Sequence, residues 1–212
     1  MSSVQKTQDF LDVLKSRRSV RYYDSSVKIS REEMTQMLEE ATLAPSSVNM
    51  QPWRFAVIES PEAKAKLLPL AKFNGNQVET SSAVLAVFGD LNFVEFAEEI
   101  FSKGVELGYM PQEVKDQQMA AYIPLLSGMP TEMKRDSVLI DAGLVSMQFM
   151  LVARAHGYDT NPIGGYDKEK VTEAFGFDPA RHVPVMLISI GKAAKEGHSS
   201  SRLDVARTTE WH

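Results

Sequence analysis

The chain has 212 residues, of which 43% are hydrophobic and 24% are charged, a composition typical of a globular protein with one or two domains. Its net charge of −5 argues against nucleic acid as the main partner, because neutralising phosphates requires a basic face. No cysteine is present, which excludes disulfides, thiolate nucleophiles and cysteine-ligated iron–sulfur clusters and is compatible with a reducing cytoplasm.

The sequence shows no clear signal for secretion or for membrane insertion. The first ten residues, MSSVQKTQDF, lack the apolar segment of a signal peptide. The longest apolar stretch, residues 138–153, is interrupted by Asp141, Ser146 and Gln148 and is short for a membrane span. We interpret it as part of a buried core helix, and we expect a soluble, cytoplasmic protein with no membrane partner.

Helical and extended patterns alternate through the first half of the chain. Residues 30–33 form an S-x-x-E capping box, and Pro45 ends the helix that this box begins. Residues 82–90 are a continuous apolar run, as in a strand buried on both faces. The elements predicted here are helix 7–16, helix 30–44, strand 54–60, helix 61–70 and strand 82–90.

The second half is mostly helical and ends in a polar tail. The elements predicted here are helices 94–107, 111–126, 131–156 and 168–176, a short extended piece and turn at 158–167, and strand 183–193. Residues 194–212 follow neither period, so the tail is either disordered or an arm that becomes ordered on a partner. We expect one α+β domain spanning residues 1–212.

A short basic stretch, SRRSVR, follows the first predicted helix at residues 16–21. Its arginines could simply complement the dipole at the helix C-terminus. Alternatively, Arg17, Arg18, Ser19 and Arg21 could bind a phosphate or sulfate, because guanidinium groups and hydroxyls donate hydrogen bonds to the oxygens of such anions. The stretch by itself does not decide between the two.

Two further stretches have the composition of loops. Residues 44–53, APSSVNMQPW, are rich in turn formers, although the carboxamides of Asn49 and Gln51 also suit the edge of a heterocycle. Residues 161–165, NPIGG, are compatible with a hairpin or with backbone lying close to a flat ligand. The sequence has neither a Walker nor a G-x-G-x-x-G pattern, which argues against a P-loop or a Rossmann dinucleotide site.

Five motifs together resemble those of the FMN-dependent nitroreductase family. They are RRSVR, APSSVNMQPWRF, FNGNQ (73–77), NPIGG and SSSRL (199–203), in the family's order and approximate spacing. The resemblance implies an α+β fold with a central, mostly antiparallel sheet flanked by helices, a long buried core helix and an extended C-terminal arm. It also implies a homodimer with FMN at the subunit interface, NADH or NADPH as electron donor, and a small-molecule oxidant.

The resemblance implies contacts at both ends of the flavin. Arg17, Arg18 and Ser19 would bind the phosphate and ribityl chain, and Arg202 in the tail would be a second phosphate contact. Arg21 would lie near N1 and the C2 carbonyl, where a cation stabilises the negative charge of reduced flavin.

Three other segments are implied to complete the site. The neighbouring subunit would supply Pro45, Ser46, Ser47, Asn49 and Gln51. Asn74 would face the pyrimidine edge of the ring. One flavin face would pack against Pro162, Ile163, Gly164 and Gly165, and the backbone N–H of Gly164 would donate towards N5.

Two positions depart from residues that some family members carry. Gln77, near flavin N1, replaces a lysine, and Gly164 replaces an acidic residue, so flavin potential and substrate range are expected to change more than flavin binding. The four histidines lack metal-like spacing. The resemblance implies ping-pong hydride transfer through flavin N5 to nitroaromatic or quinone-type acceptors. The alternatives are a flavin reductase, a reductive dehalogenase, a flavin-degrading enzyme or a flavin-binding protein without turnover.

Overall fold

A four-stranded antiparallel sheet lies at the centre of the structure, a computed structural model that describes residues 9–212. The strands are β1 (Trp53–Ile58), β2 (Ala83–Asp90), β3 (Asp159–Ile163) and β4 (His182–Gly191). Their order is β1-β2-β4-β3, and all three neighbouring pairs are antiparallel. The α+β fold class and the four extended segments predicted from the sequence are confirmed.

Helices cover both faces of this sheet. They are α1 (Phe10–Ser16), α2 (Arg31–Ala41), α3 (Pro61–Leu67), α4 (Gly75–Thr80), α5 (Ala97–Glu106), α6 (Gln112–Ser127), α7 (Thr131–Ala155) and α8 (Lys168–Ala174). The N-cap of the predicted capping box is formed, since the Ser30 hydroxyl accepts the N–H of Glu33 at 3.1 Å, while the Glu33 carboxylate accepts the Tyr158 hydroxyl at 2.8 Å. Residues 7 and 8 of the first predicted helix lie outside the described range.

Several helical predictions differ from the structure. The helix predicted over 30–44 ends at Ala41, and the one predicted over 94–107 begins with a 3₁₀ turn, Phe93–Phe96. The helix predicted over 61–70 ends at Leu67 and continues as a 3₁₀ turn that contains Pro69, which has no N–H for an α-helical bond. No helix is predicted at 75–80, where the structure forms α4, because six residues are too few to show a helical period.

The central strand β2 is buried on both faces, as its apolar run predicts. Leu85 and Val87 face the core formed with α2 and α7, whereas Val84, Ala86 and Phe88 face the core on the opposite side. Successive side chains of a strand point to opposite faces, so a strand between two helical layers has no polar side.

The long helix α7 crosses the sheet with one face buried and the other exposed. The buried face includes Val138, Ala142, Val145 and Phe149. On the opposite face, Ile140 and Leu144 are 65% and 43% exposed. The predicted core helix is confirmed, because its buried face packs on the sheet, although its other face is exposed in this chain. By length and composition alone, the 25 residues of α7 would also suffice to cross a membrane, a test that the core helix of a soluble protein can pass as well. The helix nevertheless packs as a core helix.

The chain beyond β4 first returns along residues 18–24. The N–H of Ala194 donates to the carbonyl of Tyr22, and a Cβ built on Gly197 would lie 2.6 Å from the Cβ of Arg18. Residues 198–212 are almost entirely exposed, and apart from one 3₁₀ turn they form neither helix nor strand. The expected extended arm is confirmed, and its first residues pack on their own chain.

Candidate functional site

The edge strand β3 brings together three of the stretches singled out in the sequence. Ser19 forms a parallel bridge with Thr160, and the N–H of Val20 donates to the Thr160 carbonyl at 3.0 Å. Just beyond the other end of the strand, Asn74 Nδ2 donates to the carbonyl of Gly165 at 3.0 Å. Residues 17–21, Asn74 and the glycine pair therefore lie along one edge of the sheet.

The order of the polar groups along this edge follows from the parallel bridge. Residues 17–21 run in the same direction as β3, so Arg17 and Arg18 lie near its start and Arg21 lies further towards Asn74. The Asn76 side chain donates to the Tyr22 hydroxyl at 3.2 Å, which places α4 beside the same segment. Five extended residues separate the two ends by up to about 17 Å, which suits an elongated ligand.

The arginines at the start of this edge are partly engaged already. Arg18 Nη1 donates to the carbonyls of Lys15 and Arg17, at 2.6 and 2.9 Å, so it complements the end of α1. Arg21 is exposed. Arg202 is also exposed and donates to the carbonyl of Ser201; within the described residues no hydrogen bond or ion pair joins it to residues 17–21.

Asn74 is held from below by Gln77. The Gln77 side chain is only 4% exposed, and its Nε2 donates to Asn74 Oδ1 at 3.2 Å. Asn74 Nδ2 also donates to the carbonyls of Lys72 and Gly165. This arrangement fixes the orientation of the Asn74 carboxamide, and it places Gln77 beneath the edge rather than on it.

The glycine pair after β3 borders open space. A Cβ built on Gly164 or Gly165 would meet no atom within 4 Å, and neither glycine has a positive φ. Pro162 before them is exposed and Ile163 is buried. Since nothing in the chain itself requires glycine at 164 and 165, the absence of side chains leaves room for a group packed against this backbone.

The polar loop at residues 45–51 is backbone-strained. Val48, Asn49 and Gln51 have φ angles of 51°, 55° and 48°, a left-handed region that β-branched residues rarely adopt. Ser46 Oγ accepts the N–H of Gln51 at 3.0 Å, and Met50 is buried among α5–α7 side chains. Strain of this kind persists only where surrounding structure enforces it, and it concentrates at functional sites.

Two residues near these segments were not identified from the sequence. Phe73, beside Asn74, is fully exposed and has a φ of 68°, an unusual conformation for an aromatic residue. Asp141 on α7 is buried and accepts the N–H of Ser47 on both oxygens at 3.1 Å. Burial raises the pKa of the Asp141 carboxyl, although the hydrogen bonds from Ser47 oppose that shift. The only sequence signal for Asp141 is a charge inside an apolar run.

The strained loop and the β3 edge form separate regions in one chain. Among residues 9–212, no hydrogen bond or ion pair joins loop residues 45–51 to residues 17–21, 74–77 or 162–165. The loop instead borders a cavity of about 510 Å³, which is lined by Asn49, Gln51, Trp53, Arg54, Phe96, Glu99, Ile100, Lys103, Gly104, Leu107 and Tyr109. The structure thus unites most of the predicted site residues and leaves the loop group apart.

Known proteins resemble this chain over nearly its whole length. The family model described as "Nitroreductase family" matches residues 14–192. A Bacillus subtilis protein named "Putative NAD(P)H nitroreductase YdgI" is 65% identical, over 97% of this chain and 99% of its own. A Lactiplantibacillus plantarum protein named "CLA biosynthesis enone reductase" is 41% identical, over 96% of this chain and 94% of its own.

A solved structure agrees with these sequence matches. The crystal structure of a nitroreductase from Exiguobacterium sibiricum, described as putative and in complex with FMN, has 60% identity and a TM-score of 0.95. The match covers 99% of this chain and all of the other. With its β3 edge, its glycine pair and its basic segment in the order described above, the chain belongs to the nitroreductase family.

Proposed function

We propose that the protein is an FMN-dependent oxidoreductase that takes hydride from NADH or NADPH and delivers it, by a ping-pong mechanism, to nitroaromatic or quinone-type acceptors. The observation that carries the proposal is the β3 edge, where cationic, carboxamide and open glycine groups follow one another. A relative with 60% identity is described in complex with FMN, which supports the choice of cofactor.

The residues at the start of the edge fit a phosphate. Arg17 and Arg18 carry planar guanidinium groups, and Ser19 is exposed beside them with a hydroxyl donor. Arg18 can exchange its bonds to two backbone carbonyls for stronger, charge-assisted bonds to a phosphate. Arg202 lies five residues beyond Gly197, which packs on Arg18, so the tail is within reach of the same end or of a second chain.

The residues at the other end fit a flat heterocycle. Both Nδ2 hydrogens of Asn74 already serve backbone carbonyls, and its Oδ1 keeps a free lone pair that can accept an imide N–H. Gly164 and Gly165 leave space for a ring to lie against the backbone. Bound FMN would supply the hydride-transfer chemistry at N5, so the chain needs to bind and orient reactants rather than provide a nucleophile.

A homodimer would complete this site. The exposed faces of α1 and α7 present Phe10, Leu11, Ile140, Leu144 and Met147, and apolar patches of this kind mark interaction surfaces. On this proposal the strained loop of each chain, which is bonded to α7 through Ser47, contacts the flavin bound at the β3 edge of the other. On this proposal residues 1–212 act as one domain, in the cytoplasm, on small molecules.

Reduction of conjugated enones is a second candidate activity. The relative named as an enone reductase is 41% identical over nearly the whole chain, and the cavity beside the loop has the apolar side chains Phe96, Leu107 and Tyr109 in its lining. A carbon–carbon double bond conjugated to a carbonyl accepts hydride from the same cofactor. This candidate differs from the first only in the acceptor.

The test begins with an absorbance spectrum of the purified protein, before and after anaerobic addition of NADH or NADPH. We expect bands near about 370 and 450 nm that bleach with one of the nicotinamides. Rates with matched nitroaromatic, quinone and enone acceptors then rank the candidate activities. Protein that stays colourless after incubation with FMN would overturn the proposal, and a bound flavin that no nicotinamide reduces would leave only flavin binding.

A further inference from the structure

Among residues 9–212, the buried carboxylate of Asp141 has no cationic partner. Its side chain is 3% exposed, and no ion pair among the described residues includes it. A buried charge without a counter-ion is costly and is kept only where its hydrogen bonds matter. The proposed hydride chemistry does not use Asp141 directly.

The hydrogen bonds of Asp141 all lead to one residue of the strained loop. The N–H of Ser47 donates to both carboxylate oxygens at 3.1 Å, and the Ser47 hydroxyl donates to one of them at 3.4 Å. Ser137 lies one helical turn earlier on α7, and its hydroxyl donates to the Ser47 hydroxyl at 3.1 Å. Asp141 and Ser137, on one face of α7, therefore both form hydrogen bonds with Ser47 of the loop.

The strained conformation begins immediately after this anchor. Val48 and Asn49 are both left-handed, and the turn is closed by hydrogen bonds from Asn49 to Ser46 and from Met50 to Ser47. Left-handed non-glycine residues relax unless neighbouring contacts enforce them. Asp141 and buried Met50 fix the two sides of this turn, which leaves the exposed side chains of Val48 and Asn49 pointing away from the chain's own core.

We propose that Asp141 is a positioning residue that holds Ser47, and with it the strained loop 45–51, in the conformation that contacts the flavin bound by a second copy of the chain. The flavin part of this inference rests on the proposed function, whereas the anchoring of Ser47 does not. A carboxylate is suited to this task because both of its oxygens accept, so it can take the amide and the hydroxyl of Ser47 together.

The experiment compares Asp141→Ala and Asp141→Asn with a control, Ser146→Ala. Ser146 is buried on the same helix, but within the described part of the chain its hydroxyl bonds only to the carbonyl of Ala142. Amide hydrogen exchange of residues 47–51 is measured in flavin-free protein. The FMN dissociation constant and the thermal unfolding midpoint are measured on the same preparations.

We expect Asp141→Ala to speed exchange at Ser47 by at least about tenfold and to weaken FMN binding by about tenfold. Asp141→Asn, which keeps one acceptor oxygen, should give smaller changes in both, and its unfolding midpoint should not fall because the buried charge is gone. Ser146→Ala should change neither exchange at Ser47 nor FMN affinity.

Two results would overturn the inference. One is unchanged exchange at Ser47 in both Asp141 variants, which would show that the carboxylate does not hold the loop. The other is faster exchange with unchanged FMN affinity, which would show that the loop's position is irrelevant to the flavin. Failure of the wild-type protein to bind FMN is a distinct result: it overturns the proposed function and the flavin-contacting role, and exchange still decides the anchoring.

Discussion

The side-chain amide of Asn74 donates a hydrogen bond to the carbonyl of Gly165, 91 residues later in the chain, at 3.0 Å. This bond fastens the turn before α4 to the glycine pair that follows β3. Buried Gln77 fixes the other side of the same carboxamide. Two segments that were separate motifs in the sequence thus form one rigid end of the candidate site.

Gln77 orients Asn74 from beneath the site and is not proposed to contact the flavin itself. Loss of its amide should still weaken flavin binding, because Asn74 is then less well oriented. We expect Gln77→Leu to raise the FMN dissociation constant about two- to tenfold, because one neutral hydrogen bond that orients Asn74 is lost, at about 0.5–1.5 kcal/mol. Fluorescence titration with FMN checks this value. Gln36→Leu is the control, since the Gln36 side chain donates to Glu40 on the exposed side of α2. Equal affinities of the two variants would contradict the positioning role.

The double variant Arg17→Ala with Arg202→Ala should retain much less FMN than the wild type. Each charge-assisted phosphate bond contributes roughly 1.5–3 kcal/mol, so their combined loss should weaken binding by more than about a hundredfold. Equilibrium dialysis against FMN measures the change. Lys28→Ala with Arg31→Ala removes the same charge from exposed positions outside the tail and serves as the control. An undiminished flavin content in the first pair would rule out a phosphate site there.

Gly164→Ala should separate stability from flavin binding. The new methyl group meets no atom of residues 9–212 within 4 Å, so the free energy of unfolding should stay the same or rise by about 0.4–1 kcal/mol. The same methyl would occupy the space left for the ring, so FMN affinity should fall at least about tenfold. Gly197→Ala provides the contrast. Its Cβ would collide with Arg18, so the free energy of unfolding should fall by about 1–3 kcal/mol. Full FMN affinity in Gly164→Ala would be incompatible with a ring packed there.

Removal of residues 198–212 should loosen both the dimer and the flavin. Leu203, Val205 and Trp211 are exposed on a tail that packs on its own chain only as far as Gly197, so they are available to a second chain. Sedimentation velocity at several concentrations measures dissociation, and the absorbance of the same sample reports bound flavin. Replacing the three apolar residues by serine while Arg202 is kept tests the apolar contribution alone. A truncated protein that stays dimeric and keeps its full flavin absorbance would contradict a role of the tail in either.

Because of Asp90, the free energy of unfolding should fall as the pH is lowered into the acid range. It is fully buried and bonded to Arg54 and Arg181. Burial alone would raise the pKa of the Asp90 carboxyl, but the hydrogen bonds from Arg181 and from the N–H of Asn92, with the charge of Arg54, lower it overall. Since the unfolded chain then binds the proton more readily, this stabilisation is present above about pH 4 and is lost as pH falls through the lowered value.

The free energy of unfolding, measured with denaturant from about pH 2 to about pH 7, tests this dependence. Asp90→Asn should be less stable than the wild type at neutral pH by about 3 kcal/mol, because two arginines lose a buried partner, and the difference should shrink in acid. Asp116→Asn, an exposed site on α6, should leave stability nearly unchanged. A deficit in Asp90→Asn that is the same at every pH would contradict the lowered pKa.

Local sequence determined the secondary structure and the family to a large extent. The capping box at Ser30, the apolar run of β2 and the glycine after α7 are local signals, and each element formed where they indicate. The five motifs could be recognised because their order and spacing survive in the linear chain. The sequence did not predict where the helix before Pro69 ends. It also did not predict α4, because six residues are too few to show a helical period.

Tertiary structure alone decided how the site is assembled. Ser19 meets Thr160, and Asn74 meets Gly165, through strand pairing and packing that no local period encodes. The burial of Gln77 beneath Asn74 depends on how α4 packs, and the anchoring of Ser47 depends on where α7 crosses the chain. The physical reason is that periodicity reports only which face of an element is apolar, whereas these hydrogen bonds depend on the relative positions of elements distant in sequence.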